Sequence, residues 1–361
     1  MVRKTMLFIA ALILILLVSA CAPAVSTSTV EDKPASADLI GIKTYLLSKS
    51  SELKSSSQAL SEASDKYYIL ARSSEFDYEA LWAENSAEVS AVLNEAKSAW
   101  MKASPLYEQM EGIVAGTPSL AEYDLILDAG ASGEEDPENA VPFDLTLPDG
   151  RVLPKPGNLF GVTESTLWGT YADYTSGVEA DLDGNGSIDF GEKLPDANVL
   201  KAGAEALNKY VIELDAAASS WFPTESDAFT ALVVMVPTMS EYFNSWKNSR
   251  FILGEASEQR DFVVISRLAD IQNILGSLQI VYAEVKPLVE STDATQATQI
   301  EQGLEDLKGF VAEVYAKEQN GYQHTPEEAE VLGAEAQNRA TAIAGQVAQI
   351  AAKLNITIEE Q

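Results

Sequence analysis

One cysteine and one histidine in 361 residues are too few for several kinds of protein. Without a second cysteine there is no disulfide framework and no cysteine-based zinc site. With a single histidine, His324, and no cysteine to spare, neither a Ser-His-Asp triad, a Cys-His pair nor a histidine-rich metal site can be assembled. A glycine-rich phosphate loop is also absent. Basic residues are scarce, 24 Lys and Arg against 55 Asp and Glu, for a formal charge of −31. A surface so negative repels nucleic acid and attracts metal cations and basic partners.

The longest apolar run, Met6 to Val18, falls short of the ~20 residues a helix needs to cross a bilayer. Arg3 and Lys4 precede it and the small pair Ser19-Ala20 follows, which is the layout of an export signal over residues 1–20. Leu17-Val18-Ser19-Ala20-Cys21 resembles the bacterial lipobox, whose cysteine is lipidated and becomes the first residue of the mature chain. Cys21 is therefore expected to anchor the protein to a membrane of the cell envelope on its extracytoplasmic side. Residues 22–36, rich in Ser, Thr, Pro and Ala, suit a flexible tether.

The rest, with 46% hydrophobic residues overall, is expected to be folded. Apolar residues recur every three or four positions at Val89, Val92, Leu93, Ala96 and Trp100. The same spacing runs through Ile271, Ile274, Leu275, Leu278, Val281, Tyr282 and Val285, then Leu304, Leu307, Val311, Val314 and Tyr315. The pattern predicts helices at Ala37–Ser73, Tyr78–Val114, Asp196–Ala217, Glu225–Phe251, Ser257–Val289, Ala294–Glu318 and Pro326–Leu354. Thr325, Pro326 and Glu328 form the start signal of the last one. The expected fold is all-α, two packed helical bundles over residues 37–354 with a small irregular insertion at 128–195. In that insertion Asp128–Asn139 reads as an acidic loop, and Phe143–Leu147 with Arg151–Leu153 as a hairpin about Pro148-Asp149-Gly150.

Asp181 to Glu192 matches the twelve-residue EF-hand loop. A calcium ion wants six to eight oxygens. The side chains of Asp181, Asp183 and Asn185, the carbonyl of Ser187, Asp189 directly or through water, and both oxygens of Glu192 would supply them. Gly186 permits the sharp turn, and Ile188 is expected to plug the loop onto the protein. Pro195 follows so closely that the helix leaving an ordinary EF-hand is cut short. With no second loop to pair with, structural calcium is the expected role.

Ala96-Lys97-Ser98-Ala99-Trp100 leading into Leu106-Tyr107-Glu108-Gln109-Met110-Glu111 resembles the opening helix pair of imelysin-like proteins, a family that includes periplasmic iron-uptake components of the EfeO and EfeM type. Glu164 to Trp168, Ile252 to Glu255, Asp270 to Gly276 and Asn320-Gly321-Tyr322 follow in matching order, covering most of 37–354. The resemblance implies a helical bundle whose carboxylates meet in a cleft proposed to bind metal, here Glu108, Glu111, Glu164, Glu255 and Asp270. It also implies a transition metal such as iron as cargo and a membrane permease as partner. The family motif has a histidine three residues before the glutamate matching Glu164; in this chain that position is Gly161. No pair of carboxylates stands out as catalytic, and a non-enzymatic, calcium-binding protein is the expectation.

Overall fold

The computed structural model describes residues 36–359, so the expected export signal at 1–20 and Cys21 lie outside the described residues. The fold is all-α. Among the described residues no helix is long and apolar enough to cross a membrane.

Two long helices, α1 (Ile40–Ser73) and α2 (Tyr78–Val114), form an antiparallel hairpin, with Asp77 capping the second by accepting from Ala80 N–H. The short α3 (Ala121–Asp124) runs into one π-helical turn at Leu125–Ala129. A minimal hairpin follows, β1 (Leu145–Thr146) antiparallel to β2 (Val152–Leu153), as the turn at Pro148-Asp149-Gly150 foretold. The middle of the chain then holds a helix that its sequence did not announce. This is α4 (Leu159–Trp168), all ten of whose residues are buried. A helix buried on every side, with Thr163 to Thr166 polar among its apolar residues, shows no one-sided stripe, so periodicity misses it.

Two strands, β3 (Thr175–Glu179) and β4 (Lys193–Pro195), pair antiparallel and hold the 181–192 loop between them. The loop therefore leaves through a strand, and the next helix, α5 (Ala197–Ser220), starts afresh with Asp196 as its cap. The stretch predicted as one helix from Glu225 to Phe251 is three: α6 (Glu225–Met235), α7 (Met239–Asn248) and α8 (Arg250–Leu253). Pro237, which has no N–H to donate, breaks the first join; Ser249, extended and capping α8 at Phe251 N–H, makes the second.

Residues 257–266 are not helical, contrary to expectation; Ser266 caps α9 (Arg267–Gln319) instead. That span is two helical halves joined by a break at Asp293, whose φ of −157° and ψ of 92° are not helical. Tyr282 donates to the Ala297 carbonyl and Lys286 pairs with Glu301, fifteen residues on. A straight helix would hold such positions ~22 Å apart, so its two halves fold back on each other, as the separate stripes predicted. The last helix, α10 (Pro326–Leu354), starts with the foreseen capping box.

α1 packs against α2 and α5, α2 against α9, and α10 against α6, α7 and α9. A single hydrophobic core joins both groups, from Leu46 of α1 to Ile350 of α10, and a smaller one lies beneath the hairpin around Leu145, Val162 and Val199. The α2 and α9 seam is tight at Gly112, where a Cβ would come within 2.5 Å of Ser277 Oγ. This close approach faces the acidic residues of α2 with those of α9.

Candidate functional site

Glu108 and Glu111 are three residues apart, so they share one face of α2, and that face is buried at 1% and 2% exposure. From the opposite helix come Arg267 and Asp270, and from the π-helical turn comes Asp128, all buried. Oxygens of Glu108, Glu111 and Asp128 lie within 4.8 Å of one another. The Arg267 guanidinium donates to Asp270 Oδ2 at 3.0 Å and stands 3.6 Å from Glu108 Oε1. Its faces are covered by the rings of Phe262 and Tyr242, 3.7 and 4.6 Å from its central carbon. Tyr242 O–H donates to Glu111 Oε1, and Tyr107 O–H to Asp124 Oδ1 at 2.7 Å.

Helices spend their backbone N–H groups internally, so carboxylates projecting from them must find side-chain donors. Here there are too few. Glu108 Oε2, Glu111 Oε2 and Asp270 Oδ1 are buried without a hydrogen-bond partner. Burial together with repulsion from Asp270, Glu111 and Asp128 pushes Glu108 well above the usual carboxylate range. Asp128 is raised likewise by burial and Glu111, and Asp124 is pushed up to about 8 for the same reasons. Asp270 rises only to about 6, because Arg267 opposes its burial. A cleft of about 670 Å³ opens onto this cluster, with Glu111, Asp124, Asp128, Tyr242 and Arg267 in its walls.

Two of the five acids expected in the cleft are elsewhere. Glu164, on α4, spends its carboxylate on the backbone N–H groups of Phe262, Val263 and Val264 at 2.7, 2.9 and 3.0 Å. It is the clamp that keeps 257–266 out of a helix and so sets where α9 begins. Burial and the nearby Asp261 push its pKa up to about 8 against those three donors. Glu255 is exposed in a short 3₁₀ turn and lines a separate depression beside Glu192 and Lys193. Asp128, read as the start of an acidic loop, belongs to the cluster; the only hint in sequence was its place in the apolar run Leu125-Ile126-Leu127.

Gly161 has a steric reason. A Cβ there would come within 2.6 Å of Asp261 Oδ2, so the space a histidine side chain would need is taken by the Asp261 carboxylate.

The 181–192 loop is built in the opposite way. Asp181, Asp183 and Glu192 bring oxygens within 4.8 Å. Asp181 accepts from the N–H groups of Gly184, Asn185 and Gly186, and Glu192 from those of Leu182, Asp183 and Asp189. Asn185 Nδ2 ties Asp183 to Asp189 at 3.0 and 2.9 Å, and Ser187 N–H donates to Asn185. Gly186, at φ +87°, makes the turn. Ile188 does not plug the loop onto the protein: it is 48% exposed, and the buried apolar residue of the loop is Leu182. The loop is held to α2 by Asn94, donating to the Leu182 carbonyl, and by Lys97, donating to that of Gly191 at 2.7 Å. Burial lowers Lys97 to about 8, partly countered by Glu192.

His324 is buried. It stands one residue before the Thr325 cap, its ring against Trp246 and Tyr322; neither nitrogen has a hydrogen bond, and Nδ1 stands 3.8 Å from Glu328 Oε2. It is remote in role from both acidic clusters, serving as packing at the entry to α10.

The imelysin family model matches residues 44–354, and the chain belongs to that family. Among curated proteins none matches.

Proposed function

We propose that this chain is a non-enzymatic cation-binding protein of the cell envelope, tethered through lipidated Cys21. In this reading it takes a hard metal ion as cargo in the cleft of Glu108, Glu111 and Asp128 and holds structural calcium in the 181–192 loop. The observation that carries the cleft is its unbalanced buried charge. Five acids, Glu108, Glu111, Asp124, Asp128 and Asp270, surround the single guanidinium of Arg267, and three of their oxygens have no donor. Such a group either takes up protons or gains a cation. The donors are all oxygen, which suits iron(III) or manganese(II) better than softer ions. With an ion in place Glu108, Glu111 and Asp128 would ligate it, Tyr242 would orient Glu111, and Arg267 would keep Asp270 turned away. The family to which the chain belongs is linked to iron uptake, which supports a membrane permease as the receiving partner.

Calcium in the loop rests on the match of residue types from Asp181 to Glu192 and on the convergence of Asp181, Asp183 and Glu192. The test is metal content of the domain from Ala22 onward, purified without chelator. Calcium plus one further metal is expected, with Glu108→Gln/Glu111→Gln losing only the second and Glu192→Gln only the calcium. Wild-type protein that retains neither ion after exposure to both would reject the reading. For the anchor, Cys21→Ser should move the protein from the detergent to the aqueous phase.

A further inference from the structure

Among the described residues that line the cleft, Arg267 is the one basic side chain, and hydrogen bonds alone do not fix it. Its Nη1 donates to Asp270 Oδ2 at 3.0 Å and stands 3.6 Å from Glu108 Oε1, while its Nε is buried without a hydrogen-bond partner. A guanidinium carries five N–H groups in a rigid fork, so a bond at one corner leaves its plane free to turn. The aromatic contacts fix that plane. The nearer ring is that of Phe262, 3.7 Å from the central carbon against 4.6 Å for Tyr242.

Phe262 does not hold this place by its own backbone preference. Its φ is +53°, in the left-handed region that a residue with a side chain seldom occupies. The group that secures it there is Glu164, whose Oε2 accepts from the Phe262 N–H at 2.7 Å and whose Oε1 accepts from Val263 and Val264. Glu164 is itself buried and is not among the acids whose oxygens converge. We infer that Glu164 is a positioning residue: by fixing the backbone at Phe262 it seats the ring against Arg267 and keeps the guanidinium turned toward Asp270. Released, the fork would be drawn to the bare Oε2 atoms of Glu108 and Glu111, which a cation would otherwise meet. The acid that matches the glutamate of the family motif thus serves the cleft here without ligating. The consequence for metal affinity rests on the cleft reading above, whereas the seating of Arg267 does not.

The test pairs Glu164→Gln with Phe262→Leu. An amide offers one oxygen to three N–H groups and turns an N–H toward one of them, so Glu164→Gln should loosen Phe262. Phe262→Leu keeps the backbone hydrogen bonds and removes the ring. The first readout is the NMR resonance of the Arg267 Nε–H, assigned by its absence in Arg267→Lys. Ring currents displace it in the wild type, and both variants should lose most of that displacement. The second is calorimetric titration of the purified, chelator-stripped protein with manganese(II), with calcium present to fill the 181–192 loop. Each variant should bind about tenfold more weakly, and the double variant no more weakly than either, because both act through one ring. An Arg267 resonance that stays in place in either variant would overturn the proposal, as would losses that add in the double variant. A wild type that takes up no manganese would end the cleft reading alone, and the Arg267 resonance would still decide the role of Glu164.

Discussion

The two acidic clusters of this protein hold the same number of converging carboxylates and treat them in opposite ways. In the 181–192 loop the backbone is free of regular structure, so its own N–H groups turn inward and satisfy Asp181 and Glu192. In the cleft the carboxylates stand on helices whose N–H groups are already used, and oxygens of Glu108 and Glu111 are left bare inside the protein. The loop is a cradle that folds around its acids at the surface. The cleft is an imposed crowding of charge, sustained by core packing on all sides and relieved by Arg267, by protons or by a cation.

The largest effect expected from this contrast is at Arg267. Arg267→Met removes the only positive charge from among five acids and should cost the cation-free protein about 3–5 kcal/mol in urea unfolding at pH 7.5. Lowering the pH to 5 should restore part of it by protonating the acids. A cost below about 1 kcal/mol would mean that the acids are not held as charges. No comparable loss is expected from any single residue of the loop.

Next is pH dependence. Asp270 and Asp124 have folded pKa values raised to about 6 and about 8, so the folded state holds their protons more tightly than the unfolded chain does. Their contribution to stability is full below about pH 4, the unfolded value, and is lost as pH rises through about 6 and then about 8. Melting of the cation-free protein across pH 4 to 9 should show this decline, and Asp124→Asn with Asp270→Asn should flatten it. Adding manganese(II) at pH 8 should offset the decline in wild type but not in Glu108→Gln/Glu111→Gln.

The loop should respond to calcium alone. At free calcium a hundredfold above its dissociation constant, binding adds about 2.7 kcal/mol by mass action, a rise of a few degrees in melting temperature. Glu192→Gln should abolish that rise and Glu111→Gln should leave it intact; the reverse result would exchange the roles of the two sites. The smallest effect is at Ile188, where exposure makes Ile188→Ser worth under about 0.5 kcal/mol. A cost of 2 kcal/mol would show that the side chain docks after all.

How much was legible beforehand follows from the range over which each feature is determined. The stripe from Val89 to Trp100 and those of α9 lie in the core as periodicity required, and Thr325 with Glu328 caps α10 as their spacing demanded. Each is settled within one or two helical turns. The breaks at Pro237 and Ser249 were locally marked but overridden by a continuous apolar pattern. The bent segment at 257–266 was not marked at all, since Glu164, which accepts from the N–H groups of Phe262 to Val264 within it, is about a hundred residues away.

Sequence by itself determined the all-α class, the helix faces that meet in the core, and the spacing of oxygen-bearing side chains from Asp181 to Glu192, because these depend on neighbours a few residues apart. Tertiary structure alone decided which acids share a site. Glu164 and Glu255 are as acidic and as well placed in chain order as Glu108. One is nonetheless consumed by backbone N–H groups and the other faces solvent, while Asp128 is carried into the cleft by a π-helical turn. Whether a carboxylate becomes a ligand depends on the donors that packing brings to it or denies it, and those donors come from distant parts of the chain.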